Sequence, residues 1–161
     1  MTSRYGTTAL MMALSWFLFT TAVCAQKVDD RLAAAVPIPP PMHLADVKWS
    51  EPYNGPLGFP KGAQRFAVGI DPCTGGETYY ARFPAGTHFA PHWHAFVEYA
   101  VVLKGKVTHV LGKERQSLVA GDYIVVPAKV PHGWDVDAGG EVILLIRRGG
   151  AADFNFIENK K

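Results

Sequence analysis

From Gln64 onward the chain alternates between short apolar runs and glycine-bearing breaks. The runs read QRFAVGI, ETYYARF, FVEYAVVL, KVTHVL, DYIVVP and EVILLIR; the breaks read DPCTGG, PAG, KG, LGKE, AGD and DAGG. The runs are rich in β-branched and aromatic residues, and turn formers bound them, which predicts strands. No window carries a helix-length stripe at a period of 3.6 residues. Many short strands with turns at regular intervals predict an all-β sandwich or barrel, here over residues 63–148.

The pattern differs on either side of that span. Residues 26–62 are proline-rich, with VPIPPPM and EPYNGPLGFPKG, and lack sustained periodicity. Proline fixes φ and keeps the residue before it out of the helical region, so an extended arm lying over the barrel is expected. Asp29 to Ala35 has room for one or two helical turns. Residues 149–161 form a tail. At the other end, Arg4 precedes an apolar stretch, Ala9 to Phe19, too short for the ~20 residues that span a bilayer. Small residues follow at Val23 and Ala25. This is the anatomy of a secretory signal peptide, residues 1–25, cut after Ala25. The alternatives are an uncleaved anchor and a lipoprotein acylated on Cys24, to which Val23 is a poor fit. The expected location is periplasmic or secreted, with no membrane attachment after cleavage. Cys73 would then be the one cysteine left, in a turn-like stretch, and the fold would rest on packing and any bound metal.

Charge adds little to this picture. Sixteen Lys and Arg against fourteen Asp and Glu give a formal net charge of +2 over 161 residues. No clustered basic face argues for nucleic acid. No glycine-rich loop opens a helix and no serine has a nucleophile-elbow context.

The chemistry concentrates in GTHFAPHWHAFVEYAVVLKG, residues 86–105. Side chains two apart on a strand share a face, so His92 and His94 lean the same way and Glu98 has the same parity. Burying an unpaired carboxylate is costly, so it neutralises or finds a cation. A Glu–His hydrogen bond would satisfy it; a metal ion would satisfy all three side chains. A second segment, GDYIVVPAKVPHGW (121–134), carries His132 behind two prolines that restrict its approach. Three imidazoles and a carboxylate suit a divalent first-row ion such as Fe, Mn, Zn or Ni, without selecting among them. Such a set leaves coordination positions open, as a catalytic or ligand-binding site requires.

These two segments resemble the paired signatures of the cupin superfamily. Gly86, His92, His94, Glu98 and Gly105 meet every spacing of the first. Gly121, Pro127 and His132 match the second, with Lys129 in place of its glycine and Val136 in place of its asparagine. The resemblance covers roughly Ala63 to Arg147 and implies a double-stranded β-helix, a jelly-roll barrel, with the metal in its mouth and homodimers common. It does not imply one chemistry.

Around the proposed metal, His88 shares the parity of His92 and could be a ligand, a proton shuttle or a rim residue. Tyr80 and Arg82 share one face of ETYYARF; if that face lines the barrel, Arg82 could pair with a substrate carboxylate. Phe96 and Trp134 follow ligands closely and could wall the pocket. His109 has no partner in the pattern. The leading expectation is an exported metal-dependent enzyme acting on a small organic molecule, dioxygenase-like, with Glu98 able to act as base. A redox-neutral isomerase or lyase is one alternative; a binding module without turnover is another, and a metal that only stiffens the barrel is a third.

Overall fold

The computed structural model describes residues 41–55 and 58–157. The expected signal peptide and the N-terminal part of the arm lie outside these residues. Ten strands follow one short 3-10 turn, Leu44–Asp46: β1 (Gln64–Ile70), β2 (Glu77–Phe83), β3 (His88–Trp93), β4 (Glu98–Lys104), β5 (Lys106–Leu111), β6 (Glu114–Val119), β7 (Tyr123–Val126), β8 (His132–Val136), β9 (Val142–Arg148) and β10 (Asn155–Phe156). They form two five-stranded antiparallel sheets, ordered β1-β2-β9-β4-β7 and β10-β3-β8-β5-β6. This is the jelly-roll barrel expected from the sequence. No helix among the described residues is long and apolar enough to cross a membrane.

The alternation in each run decides which face turns inward. In β2 the buried set is Tyr79, Ala81 and Phe83; in β4 it is Glu98, Ala100 and Val102. β9 lies between β2 and β4 and contributes Val142, Leu144, Ile146 and Arg148 to the same side. The facing sheet adds Phe89, Val107, Trp134 and Val136, and one core joins the two. Burial of these apolar side chains stabilises by roughly 1.5–3 kcal/mol each.

Two backbone irregularities position the chemistry. The first is a register shift in β3 between Phe89 and His92, against β8. It reverses the alternation, so Phe89 and His92 both face the core while His88 is left exposed. The second is the Pro127–Val130 turn before β8. Lys129, at the family's glycine position, has φ +62° and is the one described residue other than glycine in the left-handed region. Its N–H donates to His94 O at 2.7 Å, which ties the turn to the end of β3. Gly105 also has positive φ, and a Cβ there would lie 2.2 Å from Glu141 O, so the signature glycine is required sterically.

Segments outside the barrel pack onto it. Ser50 N–H donates to Arg65 O and Tyr53 N–H to Ala63 O, which lays the arm along the start of β1. Ala90 N–H donates to Gly58 O, and β10 brings Asn155 and Phe156 beside Trp93 and His92. Cys73 lies in the turn after β1, where its N–H donates to Asp71 Oδ1 at 2.9 Å.

The left-handed Lys129 generates a test. A non-glycine residue there costs about 1–2 kcal/mol, partly offset in Lys129→Gly by the greater freedom of an unfolded glycine. Lys129→Gly is expected to raise stability by a few tenths to about 1 kcal/mol in urea unfolding. A loss of stability would contradict the strain argument.

Candidate metal centre

His92 lies one residue before the end of the bulged β3, His94 follows that strand, Glu98 opens β4 and His132 opens β8. The fold brings His92, His94 and His132 together: one donor atom from each lies within 4.8 Å of the others, and all three side chains are buried. Their ring centroids are 4.4–5.0 Å apart.

The hydrogen bonds show which nitrogens are available. His92 Nδ1 lies 2.8 Å from Ala90 O, His94 Nδ1 2.6 Å from Asp153 O, and His132 Nδ1 3.0 Å from Val130 O. A carbonyl only accepts, so each Nδ1 carries the proton and each Nε2 keeps its lone pair. The Nε2 atoms of His94 and His132 are buried without a hydrogen-bond partner. Buried polar atoms are nearly always satisfied, and three convergent lone pairs cannot satisfy one another. A divalent cation fits this donor set, and ligation at about 2.0–2.1 Å per nitrogen would draw the rings slightly closer.

Glu98 sits at the edge of the cluster. Its Oε2 is 3.5 Å from His94 Nε2, and its Oε1 is 3.9 Å from His132 Nε2. Oε1 has no hydrogen-bond partner and could complete the ligand set. Oε2 is 2.8 Å from Nη1 of Arg148, which is 2 % exposed. That contact is an ion pair without hydrogen-bond alignment, because Nη1 remains unpartnered. Arg148 Nη2 donates to the Tyr79 hydroxyl at 3.0 Å, and the guanidinium lies 4.9 Å from the Phe154 ring centroid.

Burial governs the electrostatics. It lowers His92 and His94 to about 3, with repulsion from neighbouring imidazoles and Arg148 adding to the effect. It lowers His132, and it lowers His109 to about 4. It raises Glu98, against the pull of Arg148, and it raises the Tyr79 hydroxyl to about 12. The imidazoles are therefore neutral, as ligation requires.

A cavity of about 200 Å³ reaches this cluster through His92 and Glu98. Arg148 and Tyr79 share one polar end; Phe59, Phe83, Phe89, Trp134, Ile146 and Phe154 form much of the wall, and polar side chains including Glu51, Arg65 and Glu77 also line it. Phe89 stacks on His92 with centroids 4.3 Å apart.

Of the residues expected to bind substrate, only Trp134 lines the cavity. Tyr80 and Arg82 lie on the outer face of β2, because the more apolar Tyr79, Ala81 and Phe83 take the inner one. Arg82 donates to Glu141 at 2.7 Å and lies over Trp49. His88 pairs with Asp135 at the surface, turned out by the β3 bulge. Phe96 is 46 % exposed and rests against Gly150. His109 is in the core, 4.6 Å from Trp134 by ring centroids, with neither ring nitrogen hydrogen-bonded. Sequence reasoning missed Tyr79, Arg148 and Phe154. Arg148 was detectable: it shares the parity of Leu144 and Ile146. Phe154 and Asp153 belong to an irregular tail that carries no comparable pattern.

The fold and the clustered histidines define a metal-site class of jelly-roll protein. A family model described as a cupin domain matches residues 79–146. That match supports the resemblance to the cupin superfamily carried by the two signatures. Among curated proteins none matches the sequence at a significant level. Solved structures do. The polyketide cyclase RemF from Streptomyces resistomycificus is 20% identical, with TM-score 0.59, over 77% of this chain and 89% of that one. A cupin-2 domain from Rhodospirillum rubrum is 15% identical, with TM-score 0.61, over 77% and 84%. A structure from work on the DMSP lyases RdDddP and RnDddQII is 18% identical, with TM-score 0.57, over 70% of this chain and 63% of that one. At these identities the likeness is one of fold.

Two measurements test the centre. His132→Ala is expected to lower bound metal at least tenfold by elemental analysis, as removal of one ligand from a small set would; wild-type stoichiometry would contradict it. In metal-free protein, the buried imidazoles stay neutral while those of an unfolded chain protonate near 6.5. Their contribution is complete above that pH and is lost as pH falls toward the folded values of about 3 to 4. Glu98 acts in the opposite sense, but as one group against four. Tm of the metal-free protein should fall between pH 6.5 and 4, and a flat profile would sink this reading.

Proposed function

We propose that the chain is an exported, metal-dependent enzyme acting on a small organic molecule. The observation that carries this is the set of converging, proton-free Nε2 atoms beside a cavity with room for a ligand. A structural metal site is normally closed, whereas this cluster has a cavity reaching His92 and Glu98. His92, His94 and His132 would hold the ion, with Glu98 Oε1 as a further donor. The bound ion would supply Lewis acidity and, if redox-active, electron transfer to dioxygen.

The chain's own groups have definable parts. The aromatic walls exclude water from the reacting atoms and orient the substrate. Glu98 is buried with a raised pKa, so it can hold or release a proton at Oε1 while Arg148 keeps Oε2 in place. The dioxygenase-like form of this chemistry uses the coordination positions that the three imidazoles leave open. A redox-neutral isomerase or lyase reading has its own support in Glu98, a carboxyl poised at the cavity to move a proton. The fold neighbours include a polyketide cyclase and DMSP lyases, which are compatible with either reading but select neither.

Oxygen separates the two. Metal-loaded protein screened against small organic acids and ketones should consume substrate with stoichiometric oxygen uptake if it is a dioxygenase. Turnover undiminished under strict anaerobiosis would select the redox-neutral reading, and tight binding without turnover would leave a binding module. Export has a separate test. Intact mass of the protein recovered from the periplasm or medium of its host is expected to begin at Gln26; a retained Met1 would overturn cleavage.

A further inference from the structure

We infer that the cavity is built to receive a small, mostly apolar carboxylate, with Arg148 as the residue that binds its charged end. The inference deepens the proposed function and rests on that reading for the shared cavity and for the charge of the ion, while the placement of Arg148 stands apart from it.

Arg148 makes poor sense as a structural residue. It is 2 % exposed and lies on the core face of β9, in line with Leu144 and Ile146. An apolar residue there would pack with less penalty, since a buried ion pair rarely stabilises more than a hydrophobic replacement. Nor is the side chain satisfied by the protein. Nη2 donates to Tyr79, but Nε and Nη1 have no hydrogen-bond partner, although Nη1 is 2.8 Å from Glu98 Oε2. The guanidinium lines the cavity, and its Nε and Nη1 are closed off from solvent without a hydrogen bond, so an acceptor in the cavity would meet them as the guanidinium turns toward it.

The charge balance points the same way. Arg148 and Glu98 neutralise each other, and the imidazoles are neutral. A divalent ion would leave the pocket with two uncompensated positive charges away from bulk water. Arg148, buried beside the histidine cluster and Glu98, repels a cation held there. A ligand bearing negative charge relieves both repulsions, because charge-assisted bonds to a guanidinium are the strong ones.

The remaining walls describe the rest of the ligand. Phe59, Phe83, Phe89, Trp134, Ile146 and Phe154 offer hydrophobic surface, and the polar groups Ser50, Glu51, Gln64, Arg65 and Glu77 stand at other parts of the lining. A volume near 200 Å³ is below the usual range for drug-sized ligands, about 300–1,000 Å³. The fitting class is a compact aromatic or branched aliphatic acid. Tyr79, which accepts from Nη2, is a positioning residue for Arg148.

Isothermal titration with benzoate and its neutral isostere benzamide tests this, on the protein stripped by chelator and again after loading with Mn²⁺. Benzoate is expected to bind at least tenfold more tightly than benzamide in both forms. Arg148→Gln should abolish that preference. Should this variant fail to fold, Tyr79→Phe retains the charge and should keep a benzoate preference with weakened affinity. Equal or tighter benzamide binding to wild type overturns the inference. So does no benzoate binding at millimolar concentration, or an undiminished preference in folded Arg148→Gln. A benzoate preference in stripped protein that never takes up metal upholds this inference while the metal-enzyme reading fails. Metal-dependent turnover without the preference gives the reverse.

Discussion

Everything at the centre depends on three hydrogen bonds from imidazole Nδ1 to backbone carbonyl. They fix the tautomer and the ring orientation together, and so aim the Nε2 lone pairs inward. The carbonyls come from Ala90, Val130 and Asp153. Each belongs to irregular backbone: a bulge, a proline-flanked turn and the segment before β10. Regular ladder strands commit their carbonyls to neighbouring strands, so spare acceptors arise where the ladder is broken. The bulge in β3 and the left-handed Lys129 are therefore part of the same device as the histidines they orient.

A second constraint acts against the first. Three neutral imidazoles invite a cation, while Arg148 repels one. Glu98 reconciles them because it has two oxygens facing different ways. Oε2 meets the guanidinium and Oε1 is left toward His132. The Tyr79 hydroxyl holds the far side of Arg148, with a pKa raised to about 12 that keeps it a neutral acceptor. The polar end of the cavity is thus a chain of groups, each neutral or paired before any ligand enters.

The sequence carried much of this in readable form. Strand alternation and glycine breaks led to the jelly roll, and His92, His94 and His132 were visible because their signature spacings are local. The gaps came where a face had to be chosen. In ETYYARF either alternate set could face inward, and the larger apolar set of Tyr79, Ala81 and Phe83 won the core over Tyr80 and Arg82. Counting hydrophobic area on each face would have decided the choice and drawn attention to Arg148 at the end of EVILLIRR. His88 was open between ligand and rim residue for a different reason, because a one-residue bulge inverts parity and leaves no mark in composition; the structure puts it at the rim. Asp153 and Phe154 were not legible at all, since their roles depend on where a non-periodic tail returns to the barrel.

That return has a consequence for how such a site is specified. The barrel strands hold most of the nitrogen donors, while much of the aromatic wall comes from outside them: Phe59 from the end of the arm and Phe154 from the tail, in edge contact at 4.7 Å. Ligand shape can therefore change through these peripheral segments without disturbing the donors. Asp153 limits that independence. Its carbonyl accepts from His94, its carboxylate accepts from the Ala95 N–H, and Phe154 is the next residue. A change that moves the Phe154 wall also turns a metal-facing imidazole, so pocket shape and ion affinity are coupled through one peptide unit.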